Sequence, residues 1–99
     1  MARRIRRSRR NIFRDLGFSA KEAEHLRIRS DLMIELTRLI ERNRLTQAEA
    51  ARMVGVTQPR ISDLMRGKIE RFSVDTLIEM LGHAGARVAV RVRPRRRVA

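Results

Sequence analysis

Apolar side chains recur at helical spacing through the middle of this chain. Leu26, Met33, Leu36 and Ile40 fall on one stripe, and Leu32 and Leu39 widen it. Ser19 and Glu22 stand at capping-box spacing ahead of the stripe, and no Gly or Pro interrupts residues 19–43. One long helix is predicted there, with Ser30 the place for any bend. Three shorter helices follow, each with its own start signal. Thr46 with Glu49 opens a helix over 47–54 that Gly55 closes. Thr57 opens the next, with Pro59 in its first turn, where a missing N–H costs nothing, and Gly67 stops it. Ser73 opens the last, with Val74, Leu77, Ile78 and Leu81 as its apolar face and a break between Gly82 and Gly85.

The two ends of this helical block depart from the pattern. In residues 87–93, Val88, Val90 and Val92 alternate with Arg87, Ala89, Arg91 and Arg93, the period of a half-buried strand, and Pro94 ends it. A lone strand cannot pair its own backbone groups. The alternation therefore predicts a β-strand paired with its copy across a homodimer, with Val88, Val90 and Val92 as the dimer strand; a strand folded back within a monomer is the alternative. Ahead of the long helix, NIFRDLGF packs Ile12, Phe13, Leu16 and Phe18 into eight residues. These four either fold back onto the long helix or form an apolar face for a partner protein.

The segment 46–67 meets the steric demands of two helices that cross closely. A small residue, Ala51, stands where the crossing would fall, and Gly55 supplies a turn that needs a left-handed backbone. Ala50, Val54, Val56, Ile61 and Leu64 are apolar where the second helix must lock onto the first. This is the spacing of a helix-turn-helix. TQAEAARMVGVTQPRISDLMRGK resembles the motif of Cro-type (Xre-family) regulators, and the longer run from NIFRDLGF through VAVRVRP resembles their HigA-like antitoxin branch. The resemblance spans roughly residues 11–94 and implies a lambda-repressor-like domain and a homodimer that represses its own operon. In many members it also implies neutralisation of a ribonuclease toxin. The apolar N-terminal segment is where that partner would sit.

The helix that starts near Gln58 would enter the major groove, its first residues at the base edges. Gln58 suits adenine and Arg60 suits guanine, each through a two-bond contact. Pro59 and Ser62 share that end of the helix. Asp63 either accepts from a cytosine amino group or orients Arg60. Gln47, Thr57, Arg66, Lys68 and Arg71 are the candidates for phosphate contact, from helix starts and from basic side chains after the recognition helix. Arg44 is a weaker candidate of the same kind.

Composition narrows the rest. The net charge of +13 is concentrated at the ends: six arginines lie in residues 1–10 and three at Arg95, Arg96 and Arg97, leaving a body near +4. Such runs either stay solvated or meet a polyanion. Beside a reading helix, an Arg-rich arm also suits a narrow minor groove. There is no Cys, Trp or Tyr, so disulfides and thiolate metal sites are excluded and the core must be aliphatic. His25 and His83 lack further ligands at metal spacing, and no nucleophile–base pair or acid pair is apparent. No apolar run reaches membrane-spanning length, and no secretory h-region follows the basic start.

The sequence thus predicts a disordered basic arm over 1–10, a mainly α helix-turn-helix domain over 11–94 and a basic tail over 95–99. It predicts a non-enzymatic, cytoplasmic, sequence-specific DNA-binding regulator without cofactor or metal. An autorepressing antitoxin of a type II toxin–antitoxin operon is the first reading of its role. A stand-alone repressor and a sequence-tolerant nucleic-acid binder are the alternatives.

Overall fold

The computed structural model describes residues 11–94. Both basic ends predicted from sequence, 1–10 and 95–99, lie outside the described residues. Five helices follow in order: α1 (Ile12–Asp15), α2 (Ala20–Arg42), α3 (Gln47–Val54), α4 (Gln58–Met65) and, after a 3-10 turn (Ile69–Arg71), α5 (Val74–His83).

Capping sets most of these boundaries. Ser19 and Glu22 exchange side-chain and backbone bonds to begin α2, and Thr46 and Glu49 do the same for α3. Each pair satisfies donors that the first helical turn leaves unpaired. Thr57 and Ser73 cap α4 and α5 through single side-chain bonds to Arg60 N and Thr76 N. α2 runs unbroken through Ser30 for 23 residues.

Its inner stripe, Met33, Leu36 and Ile40, is buried against Ala50, Ala51 and Val54 of α3, Ile61 and Leu64 of α4, and Leu77, Met80 and Leu81 of α5. Phe72, from the segment between α4 and α5, completes this aliphatic core. Burial of each large side chain is worth about 2 kcal/mol, so the core, rather than helix propensity, holds the short helices in place. Ala51 is buried in α3, and its carbonyl accepts the N–H groups of both Gly55 and Val56. Gly55 turns the chain with φ +75°.

The predicted C-terminal strand is overturned. Among the described residues there is no strand, and 87–94 carry no regular structure. The alternation of valines is expressed only at its start: Val88 packs on the core, whereas Val90 and Val92 are 78% and 85% exposed. Among the described residues no neighbouring segment offers a strand, so the N–H and C=O groups of 87–93 have no ladder to join there. The residues assigned to a dimer strand, Val88, Val90 and Val92, accordingly form none.

The N-terminal hairpin divides its apolar residues between two environments. Phe13 is half-buried and meets Phe18 edge-to-face, with ring centres 6.2 Å apart. Ile12, Leu16 and Phe18 remain 47%, 69% and 40% exposed. The histidines are both exposed, and among the described residues no group of three potential metal ligands occurs. Nor is any helix among them long and apolar enough to cross a membrane.

Candidate nucleic-acid interface

α4 begins at a capped, exposed terminus. Thr57 Oγ1 accepts from Arg60 N at 3.4 Å, and Gln58 and Pro59 stand exposed in the first turn. That turn contains no acidic residue, whereas the first turns of α2, α3 and α5 hold Glu22, Glu49 and Asp75. The positive end of the α4 dipole is therefore not offset by a carboxylate within its own first turn. Gln47, also exposed, opens α3. Its neighbour Glu49 is held below the usual carboxyl range, chiefly by the hydrogen bond from the Thr46 backbone N–H and then by its side chain.

The second half of α4 behaves differently. Ile61 and Leu64 lock into the core, and Ser62 is half-buried. Asp63 is only 9% exposed and turns toward the protein's own cations. Its Oδ2 accepts from Arg71 Nη1 at 3.2 Å, and its Oδ1 lies 3.6 Å from Arg66 Nη2. Arg60 reaches along the surface: its guanidinium lies 4.4 Å over the Phe72 ring and Nη1 donates to the Arg71 carbonyl at 2.9 Å. Lys68, half-buried, donates its backbone N–H to the Asp63 carbonyl at 3.0 Å.

The structure thus gathers Arg66 and Arg71 around the Asp63 carboxylate and sets Arg60 against the Arg71 carbonyl and the Phe72 ring, while Lys68 joins them through its backbone N–H alone. It sets Gln58 and Pro59 ahead of that cluster at the exposed start of the helix, beside their cap Thr57. Two contributors escape sequence reasoning. Phe72 forms the platform under Arg60; the available signal was an aromatic residue, one of only three in the chain, placed directly after Arg71. Arg29, inside α2, donates Nη1 to the carbonyls of Ile69 and Phe72 at 3.3 and 3.5 Å, fastening the segment that carries Arg71. Its Nε is buried without a hydrogen-bond partner. No sequence signal separates it from the other arginines of α2.

Two short helices joined through a glycine turn and packed in one core, with a polar, cation-flanked start to the second, define a helix-turn-helix protein. The family model described as a helix-turn-helix domain matches residues 12–93, and the chain belongs to that family. Among solved structures it is similar to an XRE family transcriptional regulator, with 38% identity and a TM-score of 0.69. The match covers 79% of this chain and 90% of that one, which makes the motif an Xre-type helix-turn-helix. No curated protein matches the chain.

Proposed function

We propose that this chain is a sequence-specific DNA-binding transcriptional regulator whose α4 enters the major groove. The observation that carries the reading is the exposed, acid-free start of α4 at Gln58 and Pro59, followed directly by Arg60, Arg66 and Arg71 on and beside the same helix. Gln58 and Arg60 are the base readers in this reading, with Ser62 beside them. Gln47, Thr57, Arg66, Lys68 and Arg71 hold phosphates. The solved XRE family regulator that the chain resembles supports the reading as a transcriptional regulator. Two copies reading half-sites roughly 34 Å apart would give a palindromic operator.

Selection of bound duplexes from a random pool by the whole chain tests this directly. The expected product is a short palindrome whose half-sites lie about one helical turn apart, and whose enrichment survives raised salt. Enrichment without any sequence preference would leave a sequence-tolerant nucleic-acid binder instead.

A second reading has its own observation. Ile12, Leu16 and Phe18 are exposed on one hairpin, an apolar face at which a protein partner would bury surface. The duty of an antitoxin against a ribonuclease-type toxin, implied by the HigA-like resemblance, fits such a face. A small toxin-like gene beside this one, with copurification lost in L16D, is the outcome expected from it.

A further inference from the structure

Asp63 and Arg60 lie three positions apart on α4, yet their connection runs through another element. Arg71 serves both: its guanidinium donates to Asp63 Oδ2 at 3.2 Å, while its backbone carbonyl accepts Arg60 Nη1 at 2.9 Å. Beneath the Arg60 guanidinium lies the face of Phe72, a residue only 1% exposed. The carbonyls of Ile69 and Phe72 are in turn held by Arg29 of α2. The platform is therefore built from the scaffold and does not depend on a bound molecule.

We propose that Asp63 is a positioning residue: it holds Arg71, and through Arg71 it keeps Arg60 extended over Phe72 in the pose that reads a base. The assignment rests on the reading of α4 as the recognition helix. A guanidinium is planar and carries its donors in a fixed fork. Stacked on a ring and anchored by one N–H to a carbonyl, it keeps other donors for a guanine edge. A side chain already held in its bound pose loses less freedom on binding. Asp63 itself is nearly buried and faces Arg66 and Arg71, so its oxygens are directed at the protein rather than at a base.

The charge balance separates positioning from plain structural support. Asp63 is the one carboxylate that Arg66 and Arg71 engage within the described residues. Neutralising it adds net positive charge beside the phosphates while releasing Arg71. Attraction to any duplex is then kept or raised while discrimination falls, whereas structural damage lowers both together.

The test uses D63N, R60K and their combination in the full chain, each titrated with the selected duplex and with a scrambled one. Thermal melts and side-chain NMR of Arg60 in the DNA-free protein accompany the titrations. D63N and R60K should each reduce the ratio of selected to scrambled affinity about tenfold, as expected for one lost two-bond base contact. D63N should bind the scrambled duplex no more weakly than the parent. The double variant should discriminate no worse than R60K alone, because Asp63 acts through Arg60. An unchanged ratio in D63N, full additivity, or a parallel fall of both affinities with the melting temperature would each overturn the proposal. If the parent chain selects no sequence, the DNA reading itself fails. The NMR then decides the positioning alone: ring-shifted Arg60 side-chain protons that relax in D63N support it, and protons without a Phe72 shift refute it.

Discussion

Two turns that leave helices with a positive φ allow one energy difference to be measured with both signs. α3 ends at Gly55, with φ +75°, and the chain leaves α2 through Arg44, with φ +55°. An L-residue with a side chain is disfavoured in this region by about 1–2 kcal/mol relative to glycine. Replacing Gly by Ala also removes freedom from the unfolded chain, an offset of about 0.4–1 kcal/mol. A Cβ at position 55 would meet the His83 imidazole at 3.5 Å, an ordinary contact, so steric overlap adds nothing. G55A should therefore destabilise by roughly 1 kcal/mol. R44G removes an exposed side chain from the same strained region and should stabilise by a few tenths to 1 kcal/mol. Urea unfolding of both variants, without DNA, measures these values, and a shift of about 4–8 °C in Tm per kcal/mol gives an independent check. A neutral or stabilised G55A would refute the argument, as would an R44G that loses more than it gains. A G55A loss above about 3 kcal/mol would mean that the His83 contact, rather than the backbone, sets the cost.

Further outcomes follow from the core, the caps and the charged end. I61A empties a fully buried position where α4 locks onto α3 and should lose about 3 kcal/mol in denaturant unfolding. DNA binding should fall with it, because α4 loses its seat. Glu49, held below its usual value of 4.5 by Thr46, contributes stability that is complete above the unfolded value and fades as pH falls through the lowered one. E49Q should flatten that part of the acid limb in melts taken from neutral pH downward; an unchanged limb would remove the capping box as its source. Deletion of residues 1–10 removes six arginines. If the arm lies on DNA, the plot of log affinity against log salt should become shallower by about 1 to 5, each phosphate contact contributing about 0.9. An unchanged slope would take the arm off the duplex.

The helices were legible because their ends are written locally. Ser19 with Glu22, Thr46 with Glu49, and Thr57 ahead of Pro59 each act within one turn, so sequence neighbours carry the whole signal. The stripe of Met33, Leu36 and Ile40 was equally readable, since helical period and burial coincide there. The strand expectation failed for the opposite reason. Alternation marks only which side chains would share a face; whether a strand forms depends on a partner backbone, which 87–93 do not meet among the described residues. Of the three valines only Val88 reaches the core.

At the candidate interface the limit of sequence reading lies in the long reach of arginine. Gln58, at the first helical position, has its exposure decided by the cap beside it. Arg60 carries a side chain long enough to leave its own turn, and its partners lie eleven and twelve positions onward at Arg71 and Phe72. Asp63 likewise chooses Arg71, eight positions away, as well as Arg66 within the helix. Helical spacing places all these Cα atoms correctly but is silent on the segment 68–72 folding back over α4. That return is imposed by Phe72 entering the core and by Arg29 holding the carbonyls on either side of Arg71. The course of 68–72 over α4 is thus fixed by an aromatic residue and an arginine with no place in the motif, and Asp63 then holds the Arg71 side chain that this course delivers. Substitution of Arg29 in α2 should therefore alter how α4 presents Arg60 while leaving the helix-turn-helix itself intact.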